Sequence, residues 1–247
     1  MLGESSAVAG DESKEQPGQT NALRERDALR HRYFLVRHGE SVPNVDGIII
    51  SDPAVGARRE HGLTNNGREQ ARRAGRQLLQ MLSRETAADE DQNKLTEKFF
   101  PTIDAPCPCV TVVSSDFSRA LETAECIRET LVGLDAQLMV DVALRERFFG
   151  SHEGKSNRHY EDVWRADQLD QDHTEEGVES CTSVQGRTTS LVARLEDDLS
   201  LPNQVIVLVS HGDALQILQT GFQKLEPGQH RRLVHLGNCE VRGVALI

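Results

Sequence analysis

Positive charge is scarce in this chain: 28 Lys and Arg stand against 39 Asp and Glu, a formal net charge of −11 over 247 residues. That balance favours solubility and argues against a general binder of nucleic acid or of an anionic membrane surface. Any basic pocket must therefore be local. Long apolar runs are missing too, since no stretch approaches the roughly 18 residues of a membrane span. The start, Met1-Leu2-Gly3-Glu4-Ser5, lacks the basic segment and apolar core of a secretory leader, so a cytoplasmic location is expected. Cysteines number only 5, at positions 107, 109, 126, 181 and 239, an odd count at irregular spacing that suits free thiols better than a disulfide framework. Cys107-Pro108-Cys109 has no Cys/His pair of matching spacing downstream, so no metal site is expected. Internal repeats are not apparent.

What is present suits one α/β core, for 247 residues with 37% hydrophobic content can bury a sizeable interior. Residues 1–30 are expected to be a disordered tail, because the Gly-, Ser-, Glu- and Gln-rich start cannot bury enough apolar surface to offset ordering, although a short surface helix from Asn21 is compatible with the pattern. Residues 31–247 form the expected catalytic domain. The apolar run Tyr33–Val36 reads as a strand and delivers Arg37, His38, Gly39 and Glu40 at its carboxyl end, where open α/β sheets bind ligands. Gly39 is expected to permit a sharp turn there. A second strand, Gln204–Val209, runs into Ser210, His211 and Gly212, and a third, Val110–Val113, runs into a helix with Asp116 as its expected N-cap. Helical spacing also marks His61–Leu82, capped by Thr64, and about Val184–Leu199. Residues 83–106 read as a surface excursion, and the acidic stretch Glu161–Glu179 as a solvated loop in preference to a lid.

Taken in order, Arg37-His38-Gly39-Glu40-Ser41 with Asn44, Leu63-Thr64-Asn65-Asn66-Gly67, Ser115-Asp116-Phe117-Ser118-Arg119-Ala120, Leu144-Arg145-Glu146-Arg147 with Gly150 and Gly154, and Ser210-His211-Gly212 resemble the histidine phosphatase superfamily, which includes the phosphoglycerate mutases. The resemblance spans about residues 31–247. It implies a three-layer α/β/α sandwich with a mostly parallel central sheet. It also implies catalytic roles for His38, Arg37, Arg119, Glu146 and His211, and contact of Asn44 and Thr64 with the phosphate or its organic group. No cofactor is implied, and the expected partner is a phosphorylated small molecule.

Charge and geometry make those roles intelligible. A phosphate monoester presents negative oxygens to a nucleophile, so Arg37, Arg119 and His211 would form a cradle that neutralises them, with arginine's planar fork suited to two oxygens at once. His38 would attack as the neutral imidazole, its other nitrogen held by a backbone carbonyl such as that of Gly39. Glu146 would protonate the leaving alkoxide and then accept a proton from attacking water. Each residue has a plainer alternative: a helix-face ion pair for Arg119, a pair with Arg145 or Arg147 for Glu146, a core position for His211. Asp213 competes with Glu146 as the acid. Arg58, Arg59 and His61 are either solvated or available to a second anionic group, and of Phe148 and Phe149 one is expected in the core.

The resemblance favours a phosphatase over a mutase. Where the phosphoglycerate mutases carry paired arginines after the tryptophan, this chain has only Arg165 beyond Trp164, and its Glu146-to-His211 interval is shorter. Mutase-type phosphotransfer and non-catalytic, phosphate-dependent binding remain the alternatives.

Overall fold

In the computed structural model, residues 20–88, 109–200 and 202–247 are described, the side chains of 84–88 excepted. The β-branched and aromatic runs read from sequence form β1 (Arg32–Arg37), β2 (Val110–Ser114) and β4 (Val205–Ser210), joined by β3 (Ala136–Val140) and β5 (Val241–Val244). The helices are α1 (Val42–Asp46), α2 (Pro53–Gly56), α3 (Asn65–Ala88), α4 (Ser118–Thr130), α5 (Tyr160–Asp167), α6 (Cys181–Asp198) and α7 (Gly212–Phe222). The sheet order is β3-β2-β4-β1-β5, with every neighbouring pair parallel except β1 and β5.

Period-two alternation in the buried strands builds a core on both faces. Phe34, Val36, Val205, Val207 and Val209 meet Ala74 and Leu78 of α3 and Ala120, Ala124 and Ile127 of α4. Tyr33, Leu35, Ile206 and Leu208 meet Leu191 and Leu195 of α6 and Leu215 and Leu218 of α7. The result is the expected three-layer α/β/α sandwich with a mostly parallel sheet.

Four local expectations are corrected. Residues 1–19 lie outside the described residues, but the rest of the expected tail packs on the domain: Leu23 is fully buried, Arg26 pairs with Asp197, and Glu196 accepts from Arg30 N, His31 N and the Tyr33 hydroxyl. Residues 22–25 form turns there rather than a helix. Asp116 does not cap α4. Phe117 is the N-cap residue and its N–H donates to Ser115 Oγ, while Asp116 takes two N–H bonds from Arg145. The first part of the acidic stretch Glu161–Glu179 is not a solvated loop, because it folds as α5 and buries Val163 and Asp167, whereas most of 168–177 is exposed. Gly39, finally, does not adopt a left-handed backbone. It is small because a Cβ there would stand 2.5 Å from the Gly67 carbonyl oxygen. The excursion at 83–106 lies largely outside the described residues; α3 continues through its start to Ala88.

The two glycines set how closely the loop after β1 seats on the start of α3. A Cβ on Gly67 would come 2.0 Å from the Glu40 carbonyl oxygen. Gly67→Ala is therefore expected to destabilise the fold by about 1–3 kcal/mol, read as a lower urea midpoint at unchanged slope. An unchanged midpoint would show that the approach imposes no constraint.

Candidate active site

The carboxyl ends of β1, β2 and β4 are tied edge to edge. His38 N donates to Ser210 O at 2.9 Å and Ser115 N to Val209 O at 3.1 Å. This register brings His38, Arg119 at the start of α4 and His211 at the N-cap of α7 into contact. The His38 and His211 rings meet edge-on at 5.2 Å. His38 Nδ1 lies 2.8 Å from the Gly39 carbonyl, as the sequence led us to expect, which places the ring proton on Nδ1 and the lone pair on Nε2. Arg119 Nε donates to that lone pair at 3.2 Å. Burial, then the charges of Arg119 and Arg37, hold His38 well below the ordinary histidine range, so it is neutral at pH 7.

Arg119 is anchored by the Ile50 carbonyl at 2.8 Å through Nη2, and Arg37 by Leu236 O at 3.1 Å and His235 Nε2 at 3.0 Å through Nη1. His235 sits at a pKa of about 4, lowered by burial and by Arg37, and is thus a neutral acceptor. The Ser115 hydroxyl accepts from Phe117 N and lies 3.0 Å from His211 Nε2; where it donates to Nε2, the His211 proton stands on Nδ1. Three buried nitrogens of these residues are left without a partner: Arg37 Nε, Arg119 Nη1 and His211 Nδ1. Unpaired buried donors are costly, and two of these belong to cations, so the pocket is built for an anion. Gly212 faces this group closely, since a Cβ there would stand 3.2 Å from His235 Cε1 and 3.4 Å from Arg37 Nε.

Glu146 is buried beside them and its Oε1 accepts from Arg147 N at 3.0 Å and Ala214 N at 3.1 Å. It pairs with neither neighbouring arginine side chain. Burial and the charge of Asp213 raise its pKa above the ordinary glutamate value, opposed by Arg119. Asp213, the rival acid, is committed elsewhere, accepting from Trp164 Nε1 at 2.8 Å and Arg147 Nη1 at 3.2 Å. Arg147 is itself fully buried and bidentate to Asp167, which His173 and His230 also engage. Cys181 lies close to Asp167 and His230 in a spacing that resembles a metal site, but the Arg147 guanidinium already supplies the positive charge.

Asn44 is exposed at the rim, linked through Asn238, whose Nδ2 donates to Asn44 Oδ1 at 3.3 Å and to His38 O at 2.9 Å. Thr64 is not brought to the cluster by any such link. Its hydroxyl donates to Glu40 Oε1 at 2.7 Å and accepts from Gly67 N at 3.0 Å, so it builds the loop and caps α3. Arg58 is exposed and spans Ala54 O and Glu60. Phe149 is the core member of the Phe148–Phe149 pair. Sequence reasoning missed Arg147, Arg187 and His235 as supports. Arg187 gathers the carbonyls of Ala143, Arg145 and Glu146 from an otherwise ordinary helix face, a role without a local sequence signal.

A parallel sheet presenting a neutral histidine within a ring of unpaired cationic donors defines a phosphoanion-handling α/β protein. The histidine phosphatase superfamily (branch 1) model matches residues 95–246, more than half of the chain, and the chain belongs to that superfamily. That match contains Arg119, Glu146 and His211. A phosphoglycerate mutase-like protein of Arabidopsis thaliana is 28% identical over 236 residues, covering 91% of this chain and 77% of the relative. A mycobacterial glucosyl-3-phosphoglycerate phosphatase shares the fold with a TM-score of 0.62 at 24% identity, over 88% of this chain and 90% of its own. A phosphoserine phosphatase of Entamoeba histolytica does so with a TM-score of 0.59 at 22% identity, over 86% and 89%.

Breaking the buried pair tests the support under Glu146. Arg147→Met strands Asp167 without its cation and is expected to cost about 3–5 kcal/mol at pH 7, measured by urea denaturation. Asp167 is held below its unfolded value of about 3.9 by Arg147, His230 and His173 against the opposing effect of burial. Its contribution is thus complete above that pH and lost as pH falls through the folded value. In the wild type, stability should drop steeply below about pH 4, and in Arg147→Met the drop should be shallower.

Proposed function

We propose that this chain is a phosphatase that hydrolyses phosphate monoesters through a phosphohistidine at His38, with charge neutralisation supplied by side chains and no requirement for a metal. The observation that carries this reading is the set of unpartnered buried nitrogens of Arg37, Arg119 and His211 beside the His38 lone pair. Phosphate oxygens satisfy them, and binding there draws the Arg119 donor from Nε2 onto the anion.

In the first step the Nε2 lone pair attacks phosphorus. An N–P bond forms as the ester P–O bond breaks, and the alkoxide takes the proton of Glu146, whose Oε2 is free because Oε1 is held by two backbone N–H groups. In the second step water attacks phosphorus while Glu146 accepts its proton. The N–P electron pair returns to Nε2 and inorganic phosphate leaves. The raised pKa of Glu146 keeps the acid loaded to higher pH than an ordinary carboxyl, and the lowered pKa of His38 keeps the nucleophile free to lower pH. Substrates are expected to be phosphorylated small molecules. Mutase-type transfer is disfavoured because Arg165, the one arginine directly after Trp164, is exposed and paired with Asp162.

Phosphate release from a panel of phosphoesters is expected to persist in EDTA and to vanish in His38→Ala. Release that needs a divalent metal, or that survives the substitution, would overturn the proposal, as would isomerisation of a phosphoglycerate without net phosphate release. Glu146→Gln is expected to slow single-turnover phosphorylation of His38 by about 10²–10⁴-fold with alkyl phosphates and by much less with p-nitrophenyl phosphate, whose phenolate leaves without a proton, while hydrolysis of the phosphohistidine slows alike for both. The alkaline limb of the wild-type pH profile on alkyl phosphates should be absent in that variant.

A further inference from the structure

Beyond the cradle, a second unsatisfied group lies in the pocket wall. The segments Ile49–Ser51 and Glu153–Lys155 are zipped together by backbone bonds, Gly154 N to Ile49 O at 2.8 Å and Ile49 N to Lys155 O at 2.9 Å. One segment carries the Ile50 carbonyl that anchors Arg119. The other carries Glu153, whose Oε2 accepts from both Ser51 N and Ser51 Oγ at 2.7 Å. Its other oxygen, Oε1, is buried and has no hydrogen-bond partner. The carboxylate makes no ion pair with Arg119, yet it lies near enough to act on that guanidinium electrostatically.

Tyr160 is joined to this wall through Phe149, whose N–H donates to the same Ser51 hydroxyl at 3.0 Å. The Tyr160 ring is stacked on Trp164 at 5.5 Å and edge-on to Phe149 at 4.8 Å, and Trp164 is fixed from behind by Asp213 and by Arg231 at 3.7 Å. Burial and Glu146 keep the Tyr160 hydroxyl protonated. The wall next to the phosphate cradle therefore offers a fixed negative oxygen and an amphipathic aromatic face. Two further buried cations of the site are already committed, Arg147 to Asp167 and Asp213 and Arg187 to Glu179 and backbone carbonyls, which leaves Arg119 and Arg37 for the phosphate.

We infer that Glu153 selects the organic half of the substrate: its buried free oxygen accepts a hydrogen bond from a hydroxyl or ammonium group near the ester and repels a carboxylate in that place. The inference rests on the proposed function and narrows its substrate class to hydroxyl- or amine-bearing esters, such as polyol or sugar phosphates, in preference to phosphoglycerates. A site built to pair with a substrate donor rejects analogues that lack it, and a like charge adds repulsion.

Glycerol 3-phosphate, 3-phosphoglycerate and propyl phosphate form a minimal set. The first two differ by a hydroxymethyl group against a carboxylate, and the third has no hydroxyl. Their inhibition constants against p-nitrophenyl phosphate hydrolysis by the wild type would be compared with dissociation constants by calorimetry on His38→Ala, which do not depend on turnover. Glycerol 3-phosphate is expected to bind at least about tenfold more tightly than either analogue. In Glu153→Gln the gap to 3-phosphoglycerate should close to within about threefold, chiefly through tighter binding of the acid. Equal binding of the three by the wild type overturns the inference even if the variant fails to fold, and so does an unchanged preference in a folded Glu153→Gln. Absence of His38-dependent hydrolysis would sink the phosphatase reading instead, leaving the calorimetric order to decide the role of Glu153.

Discussion

One buried guanidinium holds the candidate site in shape. Arg147 is shielded from solvent on every side, and its charge is balanced by Asp167 at the end of α5 and Asp213 in the first turn of α7, with Glu179 O accepting from Nε. Removing such a cation from water costs several kcal/mol, which only close pairing of this kind can offset. The pairing therefore cannot be loosened piecemeal. The residue before it, Glu146, is carried on the same backbone, and Trp164 is oriented by the same Asp213, so the acid, the aromatic wall and the start of α7 are positioned by a single electrostatic knot.

Around that knot the charges sort by burial. His38 and His211 are driven neutral, whereas Glu146 is driven toward its protonated form, all by desolvation first and neighbouring charge second. Arginine resists the same pressure because its intrinsic pKa is so high. A common low-dielectric setting thus yields a free imidazole lone pair, a carboxyl shifted toward protonation and undiminished positive charge within one pocket. On a chain of net charge −11 this positive potential is strictly local, as the composition required.

Much of this was legible in sequence because it depends on short-range patterns. The three central strands could be read from their apolar runs, and the carboxyl-end placement of His38 and His211 follows from strand direction alone. The edge strands β3 and β5 were not legible: β3 is largely exposed and lacks alternation, and β5 holds Gly243 in only 4 residues. Asp116 shows where a local rule misleads. It has the composition of a cap yet is drawn off by Arg145, from another loop, whereas Thr64 caps as expected while its hydroxyl proton goes to Glu40. The buried roles of Arg147, Arg187 and Glu153 depend on partners far away in the chain, and nothing in their own neighbourhoods marks them.

The distance between those partners also shapes how the molecule comes into being. β1 finds its central neighbour only in β4, and Asn238 reaches back across 200 residues to the His38 carbonyl. Contacts so remote along the chain are slow to close and cannot form while the ribosome still holds the second partner. An emerging chain can build α3 and α4 against β2, but it has no assembled anion cradle until β4 and the start of α7 arrive. On the proposed function, a phosphoanion would stabilise only the nearly finished fold and offer no reward to partly folded states, so its binding would sharpen the cooperativity of the last folding step.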